Sequence, residues 1–212
     1  MKRQMTVYLL RHGKTPGNSR RAYVGRASDE SLSEDGIREL KRIRVEKRSE
    51  ILRLYERILE KRCKYCVSPM KRCIETGEIL FPKITPVVLP GLEEMDFGIF
   101  EGKNYKELDN CGEYQSWIDS GGSEKIPKGE SREDFIVRTM ETFCGAVRSC
   151  SAGEMIIVCH GGSIMAILSS LRLGEYFSFQ IGNGEGYRIE IEIEEDKIHG
   201  ISYERLFAGL HT

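Results

Sequence analysis

The chain has 212 residues, 40% of them hydrophobic and 31% charged, enough for one well-buried α/β domain and too few for two. Its 32 basic and 33 acidic side chains leave a net charge of -1, so no global basic field recommends nucleic acid as a partner. The apolar run after Met1-Lys2-Arg3-Gln4-Met5 is too short for a signal segment and no later stretch approaches a membrane span. The seven scattered cysteines are therefore expected to be reduced and mostly structural, in a cytoplasmic protein with no membrane partner.

In chain order, the pattern predicts a strand near 6–11, a polar loop to Leu32 and a helix from Glu34. The stretch to Arg62 carries a broken helical stripe of Ile37, Leu40, Ile43, Ile51, Leu54, Tyr55 and Ile58. Its basic residues Lys41, Arg42, Arg44, Lys47 and Arg48 alternate with Glu39, Glu46, Glu50, Glu56 and Glu60, which reads as a solvated helix face. A strand near 64–68 follows, then a helix near 69–80 that Ser68 can cap and Pro69 can start, then a strand near 86–89. Cys63-Lys64-Tyr65-Cys66 has the spacing of half a zinc site, but no second pair follows and Cys66 falls inside the strand.

After an irregular middle, a helix near 132–149, a strand near 154–159 and a helix near 162–172 are expected. The last two strands, near 186–194 and 197–203, turn at Glu195-Asp196. Tyr187, Ile189, Ile191 and Ile193 alternate there with Arg188, Glu190, Glu192 and Glu194, the pattern of a half-exposed hairpin at a sheet edge. Alternating strands and helices predict a three-layer α/β/α fold around a mostly parallel central sheet. Residues 1–212 read as a single domain, with a small cap-like segment near 99–130.

Two segments concentrate the chemistry. Leu10-Arg11-His12-Gly13-Lys14-Thr15 and Val158-Cys159-His160-Gly161-Gly162-Ser163 each place a histidine at the end of an apolar run, directly before glycine. Strand ends of an α/β sheet are where ligand crevices form, so both histidines could face one crevice. Arg11 precedes the first, and Ser68-Pro69-Met70-Lys71-Arg72 brings a second arginine to the first turn of a helix. Two guanidiniums, two imidazoles and glycine-freed amides suit a phosphate dianion.

LRHGKT, GRASDESLSEDG, SPMKRCIETGEIL, LEEMDFGIFEG, GES and VCHGG occur in the order found in the histidine phosphatase superfamily, which the chain resembles from about Thr6 to about Tyr187. The resemblance implies a phosphoglycerate mutase-like fold and phosphoryl transfer without metal or other cofactor. It makes His12 the nucleophile and His160 a second histidine whose cationic form stabilises the transferring phosphoryl. Arg11 and Arg72 would clamp phosphate oxygens, Asn18 would contribute an amide, and Gly161 a backbone N–H at a helix start. Thr15, Gly25 and Arg26 are further pocket candidates. The family's proton donor aligns with Glu94, with Glu93 an exposed neighbour and Asp96 the second choice.

The chain departs from the cofactor-dependent mutases of that family, which carry a longer helical insertion and an RHYG-type segment around the acid. The resemblance therefore points to a phosphomonoesterase of small phosphorylated metabolites, like the small bacterial phosphatases such as α-ribazole phosphatase. A mutase, and a non-catalytic phosphate-ligand or protein-binding module on the same fold, are the alternatives. The short middle with Tyr105, Tyr114 and Trp117 would select the leaving group, though these aromatics serve equally well as packing residues.

Overall fold

The computed structural model describes residues 2–195 and 197–207. Six strands form one sheet: β1 (Lys2–Arg11), β2 (Cys63–Val67), β3 (Val87–Val88), β4 (Glu154–Cys159), β5 (Gly186–Glu194) and β6 (Lys197–Leu206), in the order β3-β2-β4-β1-β5-β6. β3, β2, β4 and β1 run parallel, and β5 and β6 antiparallel. The helices are α1 (Pro16–Ser19), α2 (Glu34–Glu46), α3 (Arg48–Leu59), α4 (Lys71–Leu80), α5 (Gly112–Asp119), α6 (Arg132–Arg148) and α7 (Gly161–Ser170).

The period-two rule of strands divides each central strand between two helical layers. Tyr8, Leu10, Tyr65, Val67, Ile156 and Val158 point to the face covered by α2, α3 and α4 through Leu40, Ile43, Leu54 and Leu80. Val7, Leu9, Cys66, Ile157 and Cys159 point to the other, covered by α6 and α7 through Phe143, Val147, Ile164 and Leu168. That two-sided burial is why β1 and β4 read as continuous apolar runs. β6 is the sheet edge and β5 lies between β1 and β6, the hairpin predicted from alternation; Asp196 of its turn lies outside the described residues.

Three local expectations need correction. The charged stretch from Glu34 is two helices, because Lys47 leaves helical geometry at φ -102°, ψ 29°. Its exposed face carries intrahelical ion pairs, Arg38 with Glu34 and Arg42 with Glu46, as a solvated face should. The helix after β2 starts at Lys71, with Met70 at its cap position and no side-chain cap, so Ser68 and Pro69 precede it. The helix after β4 opens at Gly161, one residue earlier than expected.

Between α4 and α6 the chain is mostly irregular and folds onto the strand ends. Met95, Phe100, Leu108, Ile126, Phe135 and Ala166 form a third apolar cluster there, with Tyr23, Phe97, Tyr114 and Trp117 packed against it.

The start of α2 is tied to the loop after β1. Ser33 donates to the Lys14 carbonyl through its backbone N–H (2.9 Å) and its hydroxyl (3.1 Å), and that hydroxyl accepts from Gly36 N. A methyl group on Gly36 would sit 2.2 Å from the same carbonyl oxygen. Glycine to alanine inside a helix normally stabilises by up to about 1 kcal/mol; here the sign reverses, because the obstacle is backbone. Gly36→Ala is expected to cost about 1–3 kcal/mol in chemical denaturation, the scale of overpacking. An unchanged or raised midpoint would refute the close approach.

Candidate active site

β2, β4 and β1 are adjacent and parallel, so they end side by side. Their register sets Arg11 opposite Cys159 and Val67 opposite Val158, which brings the next residues, His12, His160 and Ser68, to one edge. The ladder continues past the strands: His12 N donates to the Cys159 carbonyl (3.0 Å) and Ser68 N to the Val158 carbonyl (2.9 Å). The two imidazoles meet edge to face, their centroids 5.2 Å apart.

His12 Nδ1 lies 2.7 Å from the Gly13 carbonyl oxygen. A carbonyl only accepts, so Nδ1 carries the proton and Nε2 keeps its lone pair. Burial, then the charges of Arg72 and Arg11, hold the His12 pKa well below its ordinary value. The loop beneath is fixed by side chains that sequence reading passed over. Gly13 N donates to Thr76 Oγ1 (2.9 Å), and Asn183 Nδ2 donates to the His12 carbonyl (3.1 Å). Neither residue lies near a histidine in sequence, so no local pattern flags it.

Arg72 is wholly buried. Its Nε donates to His160 Nδ1 (3.3 Å), and its terminal nitrogens donate to the carbonyls of Ser28 (2.8 Å) and Gly25 (3.1 Å). Because a guanidinium only donates, His160 Nδ1 carries no proton, and its Nε2–H donates to Ser68 Oγ at 2.8 Å. In this structure the His160 ring is thus neutral. Burial, Arg72, His12 and Arg11 all press its pKa well down. Ser68, read as a helix cap, instead serves His160.

Arg11 donates from a terminal nitrogen to the Ile181 carbonyl, while its buried Nε has no hydrogen-bond partner among the described residues. A Cβ on Gly161 would come 3.4 Å from that Nε, so glycine keeps the approach to it open. Burial lowers the Arg11 pKa, and Glu94 and Glu185 act against this. Arg11, Glu94 and Gly161 line a cavity of about 370 Å³, with Tyr23, Phe97, Trp117, Phe135, Tyr176 and Phe177 among its walls. His12, Arg72 and His160 are not on that lining and are buried, at 3%, 0% and 0% exposure.

The three neighbouring carboxyls separate cleanly. Glu94 lines the cavity and accepts from Gly162 N (3.1 Å) and Met95 N (3.0 Å). Glu93 takes the Gly91 N–H and faces Arg138 at 3.5 Å, and Asp96 takes the Gly98 N–H. Neither Glu93 nor Asp96 is on the cavity lining.

The outer candidates are mostly structural in position. Thr15 is buried and caps α1, and its hydroxyl and backbone exchange bonds with Asn18. Asn18 Oδ1 also accepts from Asn183. Gly25 is buried where a Cβ would meet the Met95 carbonyl at 2.0 Å, and Arg26 is exposed and off the cavity lining. Of the aromatics, Trp117 is on the cavity wall, Tyr114 bonds the Tyr23 hydroxyl at 2.9 Å, and Tyr105 is exposed.

Two buried histidines with depressed pKa values make stability depend on pH. Above the unfolded-state value of about 6.5 both states hold them neutral. Below it the unfolded chain takes up protons that the folded one refuses, so stability falls with pH until the folded pKa values are reached. Thermal unfolding from pH 8 to 5 should show this loss, and His160→Gln should flatten it. An unchanged slope in the variant would contradict a neutral buried His160.

A model of the histidine phosphatase superfamily (branch 1) matches residues 7–203. "Putative phosphoserine phosphatase 2" of Hydrogenobacter thermophilus is 27% identical over 202 residues, covering 91% of this chain and 92% of its own. "Probable phosphoglycerate mutase GpmB" of Cronobacter sakazakii is 28% identical over 177 residues, covering 79% and 74%. The structure of the α-ribazole phosphatase from Shigella flexneri superposes with a TM-score of 0.71 at 20% identity, covering 93% and 95%. With its paired strand-end histidines and the match across nearly its whole length, the chain belongs to the histidine phosphatase superfamily.

Proposed function

We propose that the protein is a metal-independent phosphomonoesterase that hydrolyses small phosphorylated metabolites through a phosphohistidine intermediate. The observation that carries this reading is the tautomer of His12: Nδ1–H tied to the Gly13 carbonyl, Nε2 free and the ring uncharged. That is the state an attacking imidazole requires.

In this reading a phosphate dianion is held by the Arg11 Nε–H, the Gly161 N–H at the start of α7 and the charge of Arg72. His12 Nε2 attacks phosphorus, the bond to the ester oxygen breaks, and Glu94 delivers a proton to the departing alkoxide. Water then attacks the phosphohistidine while the Glu94 carboxylate takes its proton, releasing phosphate and restoring His12. His160 enters as a neutral ring, its Nδ1 accepting from Arg72 and its Nε2–H turned to Ser68 Oγ.

Relatives named as phosphatases and as mutases leave the fate of the phosphoenzyme as the distinguishing question. Water as acceptor gives a phosphatase, and a returning phosphoglycerate gives a mutase. The aromatic rings on the cavity wall favour the first, since their faces do not hold a small polar product, although Arg132 and Gln180 stand among them.

p-Nitrophenyl phosphate is expected to be hydrolysed with EDTA present, and His12→Ala to remove that activity without unfolding the protein. Acid quenching should release phosphate from the trapped adduct, as a phosphoramidate does, whereas an acid-stable adduct would move the nucleophile elsewhere. Interconversion of 2- and 3-phosphoglycerate faster than phosphate release would establish the mutase. No turnover of any phosphate ester would leave a non-catalytic module.

Glu94→Gln separates the acid from its neighbours. Alkyl phosphates, whose alkoxides need a proton, should slow by on the order of a hundredfold or more relative to p-nitrophenyl phosphate. Equal losses on both would make Glu94 a positioning residue, and the selective loss in Asp96→Asn instead would transfer the role.

A further inference from the structure

Glu101 closes the segment that carries Glu94, and the loop Gly25–Ser28 holds Arg72 through its carbonyls, yet Glu101 itself has no part in the chemistry above. The structure joins them. Glu101 Oε1 accepts from Gly25 N at 2.7 Å and from Ser28 N at 3.0 Å. From the opposite side, Arg72 donates to the Ser28 carbonyl at 2.8 Å and to the Gly25 carbonyl at 3.1 Å. The same two residues are therefore gripped twice, by their N–H groups from a carboxylate and by their C=O groups from the buried guanidinium. The backbone around the loop is stitched to the same segment: Tyr23 N donates to the Lys103 carbonyl and Gly102 N to the Tyr23 carbonyl.

Arg72 spends its remaining Nε–H on His160 Nδ1 at 3.3 Å. A run of hydrogen bonds thus leads from Glu101 through the loop backbone to Arg72 and on to His160. We propose that Glu101 is a positioning residue for phosphate recognition: it fixes the carbonyls of Gly25 and Ser28 where they hold the Arg72 guanidinium against His160.

Space supports the assignment as well as bonding. A Cβ on Gly25 would fall 2.0 Å from the Met95 carbonyl oxygen and 2.9 Å from Glu101 Oε2. The loop is thus pressed against the segment that also carries Glu94, and it has little room to relocate with its bonds intact. Glu101 itself is half-buried, and burial raises its pKa against the bonds from Ser28 and Gly25 that favour the carboxylate. Removing it leaves two N–H groups of a packed loop without their acceptor, and the loop's easiest response is to shift, taking its carbonyls from Arg72.

This inference rests on the phosphate-binding role given to Arg72 above, and a double-mutant cycle tests it on the full chain. Two quantities are read: kcat/KM for p-nitrophenyl phosphate, and the Kd for inorganic phosphate by calorimetry, which needs no turnover. Glu101→Ala should lower kcat/KM and weaken phosphate binding by about tenfold, the scale expected within one hydrogen-bond network. In an Arg72→Ala background the same change should cost almost nothing further, because the group it positions is gone. Glu101→Gln should recover most of the loss, as an amide oxygen can accept the same two N–H bonds.

Full additivity of Glu101→Ala and Arg72→Ala in either readout would overturn the proposal. So would a Glu101→Ala protein whose melting temperature falls while its kcat/KM per folded molecule stays at the wild-type level. If the wild type binds phosphate but turns over no ester, the phosphomonoesterase reading fails while the binding cycle still decides the role of Glu101. If the wild type binds no phosphate, the role of Arg72 fails and this inference with it.

Discussion

A positively charged guanidinium with no exposed surface governs this site. Burying a charge is costly unless hydrogen bonds and an opposite charge compensate it. Among the described residues Arg72 has three acceptors, two backbone carbonyls and His160 Nδ1, and no ion-pair partner. Arg11, also largely buried, adds a second cation a few residues' width away. Both imidazoles are held neutral, first by their own burial and then by these two cations. One constraint thus leaves His12 uncharged in a site where Arg11 and Arg72 are the cations beside it and Glu94 is the carboxyl on the cavity lining.

The sheet makes the arrangement possible. Parallel neighbours β2, β4 and β1 end at one edge, and the residue directly after each, Ser68, His160 and His12, arrives there together with the others. An antiparallel arrangement would have sent the end of one strand to the far side. β1 pairs antiparallel only with β5, the strand that lies away from β4 and β2. The chain returns from a short 3₁₀ helix at Tyr176–Phe179 to β5 past the site, which is how Ile181 and Asn183 come to hold Arg11 and the His12 loop.

Much of this was legible in the residues. Two-sided burial writes itself as the apolar runs Val7–Leu10 and Met155–Cys159, and glycine after each histidine marks where chain and ligand must come close. Ser68 was misread because Ser-Pro before a helical pattern is also a capping signal; only the neighbouring strand, ninety-two residues away in sequence, brings His160 to its hydroxyl. Glu93, Glu94 and Asp96 could not be ordered from sequence beyond their alignment. On an extended segment, side chains one residue apart point different ways, and what separates these three is that Arg138, Gly98 and the cavity lie in different directions. The lone turn at Lys47 had no glycine or proline to announce it.

Relatives bear both phosphatase and mutase names, and on the reading proposed above the choice between the two turns on what surrounds the leaving group. A phosphoenzyme meets two competitors, the alcohol just released and water. A mutase has to hold the first with polar bonds long enough for it to turn over in place. Here the cavity presents Trp117, Tyr23 and Phe97 on one side and Tyr176 and Phe177 on another, with Arg132 lying over the last two rings at 5.5 and 5.8 Å. Such walls reward apolar contact with an ester on the way in. On the reading proposed above, they hold a small hydroxylated product less firmly than a wholly polar pocket would, which leaves water, with Glu94 on the cavity lining, as the acceptor of the phosphoryl group.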